Sequence, residues 1–175
     1  MELSKDVNFL LVPVEETEIN DFKTKMQESF QKRYEEYYAA TERIVLTEKE
    51  IDQSLAREGS IAYKALVDGE MKGGAIVVIN KETQHNYLAF LFVKYGLQNK
   101  GVGVAIWNAI KQFHPETKVW ETGTPYFDKR NIHIYVNKCG FSIVEFYNEK
   151  HPDPNPGDSD PFEEFFVFRK TMTTQ

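Results

Sequence analysis

Tyr87-Leu88-Ala89-Phe90-Leu91-Phe92-Val93, followed by Lys94-Tyr95-Gly96-Leu97 and Gln98-Asn99-Lys100-Gly101-Val102-Gly103, decides how this chain folds. The first seven residues are a short aromatic and branched run ended by Gly96, the pattern of a strand. From Val102, apolar residues recur at Ala105, Ile106, Ala109, Ile110 and Phe113, steps of three and four that share one helix face. The helix begins near Gly101. It stops at His114-Pro115, because proline disfavours helical geometry in the residue before it.

Gly101 and Gly103 let a bulky anion approach the backbone, and the free N–H groups of a first helical turn point outward at it. Glycines at a strand-to-helix turn also serve packing alone, so the placement between an apolar strand and an amphipathic helix carries the phosphate reading. A Walker loop requires Gly-Lys-Ser/Thr, whereas Gly101 is followed by Val102 and Gly103. The dinucleotide fingerprint requires a small residue where Ile106 stands. Gln98-x-x-Gly101-x-Gly103 instead resembles the acetyl-CoA pyrophosphate loop of the GNAT superfamily of N-acetyltransferases. The resemblance extends to Asn131, Tyr135 and Lys138-Cys139-Gly140-Phe141.

Length and composition bound the problem. The 175 residues are expected to form one domain, 1–175, with a single sizeable core. A net charge of -6 argues against general nucleic-acid binding, which needs a basic face. No apolar run reaches the length of a membrane span and Met1–Asp6 has no signal layout, so a cytoplasmic protein with no membrane partner is expected. The single cysteine, Cys139, agrees with a reducing compartment. No metal is expected, because His85, His114, His133 and His151 are scattered without ligand spacing.

Along the chain, a strand is read at 7–14, near a sheet edge because of Pro13, and a helix from Glu15 to about 38–41. Thr47-x-x-Glu50 is a capping box for a helix from Glu48 to about Glu58, stopped by Gly59. Strands at 60–67 and 71–79 flank the turn Asp68-Gly69, with Gly73-Gly74 predicting a bulge. A strand at 118–122 runs parallel to the central one, Asp128 caps a helix reaching Cys139, and strands follow at 141–147 and 162–169. Residues 148–161, rich in proline, aspartate and glycine, form a turn region. This α/β order matches the GNAT fold. The resemblance therefore implies a mixed, mostly antiparallel sheet of six to seven strands flanked by about four helices, splayed between 87–93 and 118–122.

It also implies an acetyl-CoA-dependent N-acetyltransferase. In that family the backbone of the central strand, here Phe92 and Val93, binds the pantetheine arm. The amides of Gln98, Asn99, Lys100, Gly101, Val102 and Gly103 hold the pyrophosphate. Asn131 and Tyr135, four apart on a helix, share one face, so Asn131 would hold the cofactor arm while Tyr135 protonates the departing thiolate. A core tyrosine satisfied by backbone is the bland alternative.

Many relatives carry a glutamate base on the central strand, but 87–93 has no acid. Glu121 is the substitute read here, with His85 or a water chain also open. Cys139 is read as buried and inert, and His133 as stepping away from the Asn131 and Tyr135 face. Acids at Glu15, Glu16, Glu18, Glu35, Glu36, Asp153, Asp158, Asp160, Glu163 and Glu164 suggest a negative rim for a cationic small-molecule or peptide amine; solubility accounts for them equally. A homodimer through the Phe162–Phe168 tail is a further expectation, and packing within one subunit explains those aromatics as well. The competing readings are a non-catalytic acyl-CoA-binding sensor or interaction module and a nucleotide-dependent dehydrogenase, the latter failing on its fingerprint.

Overall fold

The computed structural model describes residues 2–40, 42–98, 100–157 and 159–173, and runs β1 (Phe9–Pro13), α1 (Ile19–Tyr37), α2 (Glu48–Leu55), β2 (Ser60–Val67), β3 (Glu70–Val78), β4 (His85–Val93), α3 (Val102–Phe113), β5 (Val119–Pro125), α4 (Lys129–His133), β6 (Ser142–Tyr147) and β7 (Phe165–Thr171). The strands form one sheet in the order β1-β2-β3-β4-β5-β7-β6. Neighbours are antiparallel except β4 and β5, which the α3 crossover makes parallel. This is the mixed, mostly antiparallel architecture with four helices that the sequence suggests.

The feature that positions the site is a one-residue bulge in β4. Against β3, Ile76 faces Phe90 and Val77 faces Leu88, so Ala89 has no partner. The extra residue keeps Leu88, Leu91 and Val93 on the face covered by α3, with Trp107 and Ile106, and sends Phe92 to the other face against Phe22 and Met26. It also bends the strand. Pairing between β4 and β5 ends at Leu88 opposite Thr122, and beyond that point the two strands part. The Thr122 hydroxyl donates to the Leu88 carbonyl at 2.8 Å, closing the last rung.

Local signals set the flanking elements. Thr47 Oγ1 accepts from the Glu50 N–H while Glu50 Oε2 accepts from the Thr47 N–H, the reciprocal box that starts α2. That helix ends at Leu55 rather than near Glu58, since the chain already turns through Arg57 towards Gly59, at φ 84°. Gly73 and Gly74 pair regularly. The bulge lies beside them at Lys72, where the register shifts between Ala65 and Leu66. Both glycines are needed because a Cβ on Gly73 would sit 2.5 Å from the Phe92 carbonyl and one on Gly74 2.6 Å from the Tyr63 carbonyl. β5 extends to Pro125 and β7 starts at Phe165, because the two pair along their whole length.

The helix predicted from Asp128 to Cys139 changes character midway. After α4, Ile134–Lys138 is one turn of π-helix, with the Cys139 N–H donating to Ile134 O at 2.8 Å. Its start is fixed from a distance. Asp128 Oδ1 caps the Asn131 N–H at 3.1 Å, while Oδ2 accepts from Arg33 Nη1 of α1 at 2.7 Å, with both side chains almost wholly buried. Removing one partner of such a pair strands a charge in the interior. Asp128→Ala is accordingly expected to lower unfolding free energy by about 3–5 kcal/mol. Urea denaturation checks this, and Arg33→Met in the same background should recover part of the loss.

Candidate functional site

Two cavities meet at the gap between β4 and β5. The first, of about 230 Å³, is walled by Leu91 and Val93 of β4, by Gln98 and Gly101–Val104 at the start of α3, and by side chains of α1, α4 and the π turn. Its ionisable lining is entirely basic: Arg33, Arg130, His133 and Lys138. Arg33 is neutralised by Asp128 and Arg130 faces Glu36 at 3.4 Å, which leaves Lys138 as the lining cation best placed to meet an anion.

Gly101 takes φ 85°, a conformation open to glycine, and turns the chain into α3. A Cβ on Gly103 would meet only ordinary contacts at 3.7 Å, to Ile134, Leu91 and Val93. Internal packing therefore does not demand glycine there. A ligand pressed against the first turn of α3 would. Gln98 Oε1 accepts from the Gly96 N–H at 2.8 Å, while its buried Nε2 has no partner and borders the cavity. A polar, phosphate-bearing guest fits an orphaned donor, exposed helix N–H groups and basic walls.

The second cavity, about 770 Å³, lies towards α2 and the 156–165 segment and is also walled by Tyr87–Leu91 without Leu88. Leu91 and Asn131 border both cavities, and Tyr135 borders the second. Tyr135 is buried, with its hydroxyl within hydrogen-bonding reach of Thr122 at the last β4–β5 rung. Burial raises its phenol far above the usual range, so the proton stays on at neutral pH.

The structure brings together Val93, Gln98, Gly101, Val102, Gly103, Asn131 and Tyr135. Phe92 does not join them: its side chain is in the opposite core against Phe22, and its carbonyl turns towards Gly73 of β3. Leu91, one residue earlier, borders both cavities. Lys100 is exposed and lines neither cavity, and Asn99 and Asp158 lie outside the described residues.

Glu121 also stands apart. It is held across the β5–β7 ladder by Arg169, with Nη2 at 3.1 Å and Nε at 3.3 Å, and borders neither cavity. His85 is exposed at the head of β4 and borders neither. His133 reaches the first cavity after all, because α4 turns it there. Cys139 is buried, which pushes its thiol up to about 12.

Of the acids, Glu163 and Asp160 border the second cavity while Glu15, Glu16, Glu18, Glu35 and Glu36 do not. Glu163 is half-buried, and that burial raises its carboxyl above the ordinary range, against the opposing pull of Arg43. No group of three or more His, Cys, Asp or Glu gathers into a metal site, and no helix is long and apolar enough to cross a membrane, among the described residues.

Comparison with known proteins agrees with this geometry. Residues 20–141 match the model of the acetyltransferase (GNAT) family. The chain is 38% identical over 181 residues to the Bacillus subtilis (strain 168) protein described as uncharacterized protein YrkN, covering 98% of each. In fold it is similar to the ribosomal-protein-S18-alanine N-acetyltransferase of Escherichia coli, with TM-score 0.67, 13% identity and 96% of each chain covered. It is also similar to a GNAT family acetyltransferase from Elizabethkingia anophelis with acetyl-CoA bound, with TM-score 0.64, 14% identity, and 97% of this chain and 100% of that one covered.

Gly103→Ala separates a ligand-driven glycine from a packing glycine. The substitution should leave the melting temperature unchanged or slightly higher, since alanine gains roughly 0.5–1 kcal/mol over glycine in a helix. Calorimetric affinity for coenzyme A should fall about tenfold or more, as a methyl against a bound phosphate would require. Unaltered affinity would refer the glycine back to packing.

Proposed function

The chain belongs to the acetyltransferase (GNAT) family, and on that premise we propose that it moves an acetyl group from acetyl-CoA to a primary amine by direct attack in a ternary complex. The observation that carries the reading is the meeting of the two cavities at Leu91 and Asn131, with Tyr135 beside the junction. A cofactor arm reaching through the sheet from the first cavity and an amine entering from the second converge there. No covalent carrier is needed, and the buried, protonated Cys139 offers none.

In this proposal the N–H groups at the start of α3, the Gln98 amide and Lys138 hold the diphosphate, and acetyl-CoA supplies the activated acyl group. Val93 and Asn131 steady the arm; Val93 O already accepts from Ser29 Oγ at 2.7 Å, which anchors the strand end. Glu163, with its carboxyl raised by burial, takes the proton from the incoming ammonium. The amine lone pair forms the C–N bond, the C–S bond breaks as the Tyr135 hydroxyl gives its proton to the sulfur, and the second proton shed by the nitrogen restores the Tyr135 hydroxyl through water, leaving a neutral amide.

A non-catalytic acyl-CoA-binding module is the second reading, favoured by a β4 without an acid. It predicts coenzyme A binding without amine-dependent thiol release.

Tyr135→Phe should lower kcat about a hundredfold or more while leaving acetyl-CoA affinity within about twofold. Equal turnover would remove the tyrosine from the mechanism. For Glu163 the sign follows from its role: the base works deprotonated, so kcat/KM rises with pH through a carboxyl value above the ordinary range and then levels. Glu163→Gln should lower the rate and abolish that acid limb; a limb that survives in the glutamine enzyme belongs to another group.

A further inference from the structure

The second cavity is not the uniformly acidic vestibule that a simple diamine acceptor would favour. Lys49, Gln53 and Arg57, at four-residue steps, present one face of α2 and the turn after it to the cavity. Asp160 and Glu163 lie on the 156–165 segment, the other wall. Arg57 is the informative residue. Its guanidinium sits 5.5 Å from the centroid of the Tyr87 ring, and no carboxylate pairs with it among the described residues.

The other arginines bordering the two cavities are engaged by acids: Arg33 with Asp128, Arg130 with Glu36, and Arg43 attracting Glu163. A guanidinium already placed by an aromatic face, beside a cavity and without a direct carboxylate partner among the described residues, is a prepared seat for a planar anion.

Resting on the transferase reading above, we propose that the acceptor is an amine that also carries a carboxylate, with the carboxylate seated on Arg57 and the amine at Glu163 and Tyr135. Spacing narrows the class further. From Tyr87, under Arg57, to Leu91, at the junction of the cavities, is four residues of β4, at most about 13 Å along a strand that the Ala89 bulge bends. Arginine's own reach covers part of that span. The rest calls for several bonds between the amine and the carboxylate, which favours an ω-amine over the α-nitrogen of an amino acid. An ω-amino carboxylate such as lysine, reacting at its side-chain amine, spans the distance.

The test is thiol release from acetyl-CoA with four acceptors: lysine, Nα-acetyl-lysine, Nα-acetyl-lysine methylamide and cadaverine. The first two bear a carboxylate, the last two do not, and all four present a similar primary amine. The expected result is a kcat/KM at least about tenfold higher for the carboxylate-bearing pair. Arg57→Gln, at an exposed position that should leave the melting temperature unchanged, raises the lysine KM about tenfold and brings the lysine-to-cadaverine ratio to within about threefold. Equal use of lysine and cadaverine, or a ratio indifferent to Arg57→Gln, overturns the proposal. Release with other amine classes but none of these four overturns it and leaves the transferase standing. If acetyl-CoA binds in calorimetry and no amine of any class releases thiol, the transferase reading itself is overturned.

Discussion

A single unpaired residue, Ala89, controls the geometry on which the site depends. A parallel pair of strands joined by a helical crossover ordinarily keeps its ladder along the full overlap, and any departure exposes backbone groups that must find other partners. Here the extra residue against β3 bends β4 where its pairing with β5 ends, and side chains attend to carbonyls at both ends of the free stretch: the Thr122 hydroxyl at Leu88 and the Ser29 hydroxyl at Val93. The opening is thus bounded by hydrogen bonds on both sides. It is a passage through the sheet, and both cavities depend on it.

The walls of the passage are locked together by the Arg33–Asp128 pair. Apolar replacements often match a buried ion pair in stability, so the pair is better understood by what it fixes than by what it contributes. Asp128 uses one oxygen to cap the helix that carries Asn131 and the other to hold α1, which lines the first cavity through Arg33 itself. One carboxylate sets the helix start, and the π turn that follows carries Tyr135 to the junction. An apolar substitute could fill the space without fixing the register of α4 against α1.

Much of this was legible in the sequence because it is local. The glycine turn at Gln98–Gly103, the capping box at Thr47 and the four-residue step from Asn131 to Tyr135 are set by neighbours in the chain, and the fold follows from their order. What was not legible depends on partners far away. The Ala89 bulge is hidden because Tyr87–Val93 is apolar on both faces, so no alternation marks the residue out of step; the same lack of contrast allowed Phe92 to be placed at the passage when it faces β3 and the opposite core. Glu121 was a reasonable base on strand position alone. Its Arg169 partner is 48 residues away, joined only by the pairing of β5 with β7. Glu163 falls within the strand read at 162–169, whereas β7 starts only at Phe165, and its partial burial exists only once the segment before that strand packs over α2 and β4.

In the proposed mechanism, burial prepares two opposite proton roles in one cavity. Removing water disfavours the charged form of any acid, so both Tyr135 and Glu163 are raised. For a phenol, already protonated at neutral pH, the shift guarantees a proton to give. For a carboxyl, the same direction of shift makes it a stronger base towards an ammonium, while nearby Arg43 opposes it. The division of labour between acid and base follows from the intrinsic chemistry of the two groups rather than from two different environments. In the same proposal a carboxylate placed on β4 would lie in the passage itself, next to the route of an anionic cofactor, whereas one on the 156–165 segment, on the far wall, meets only the amine.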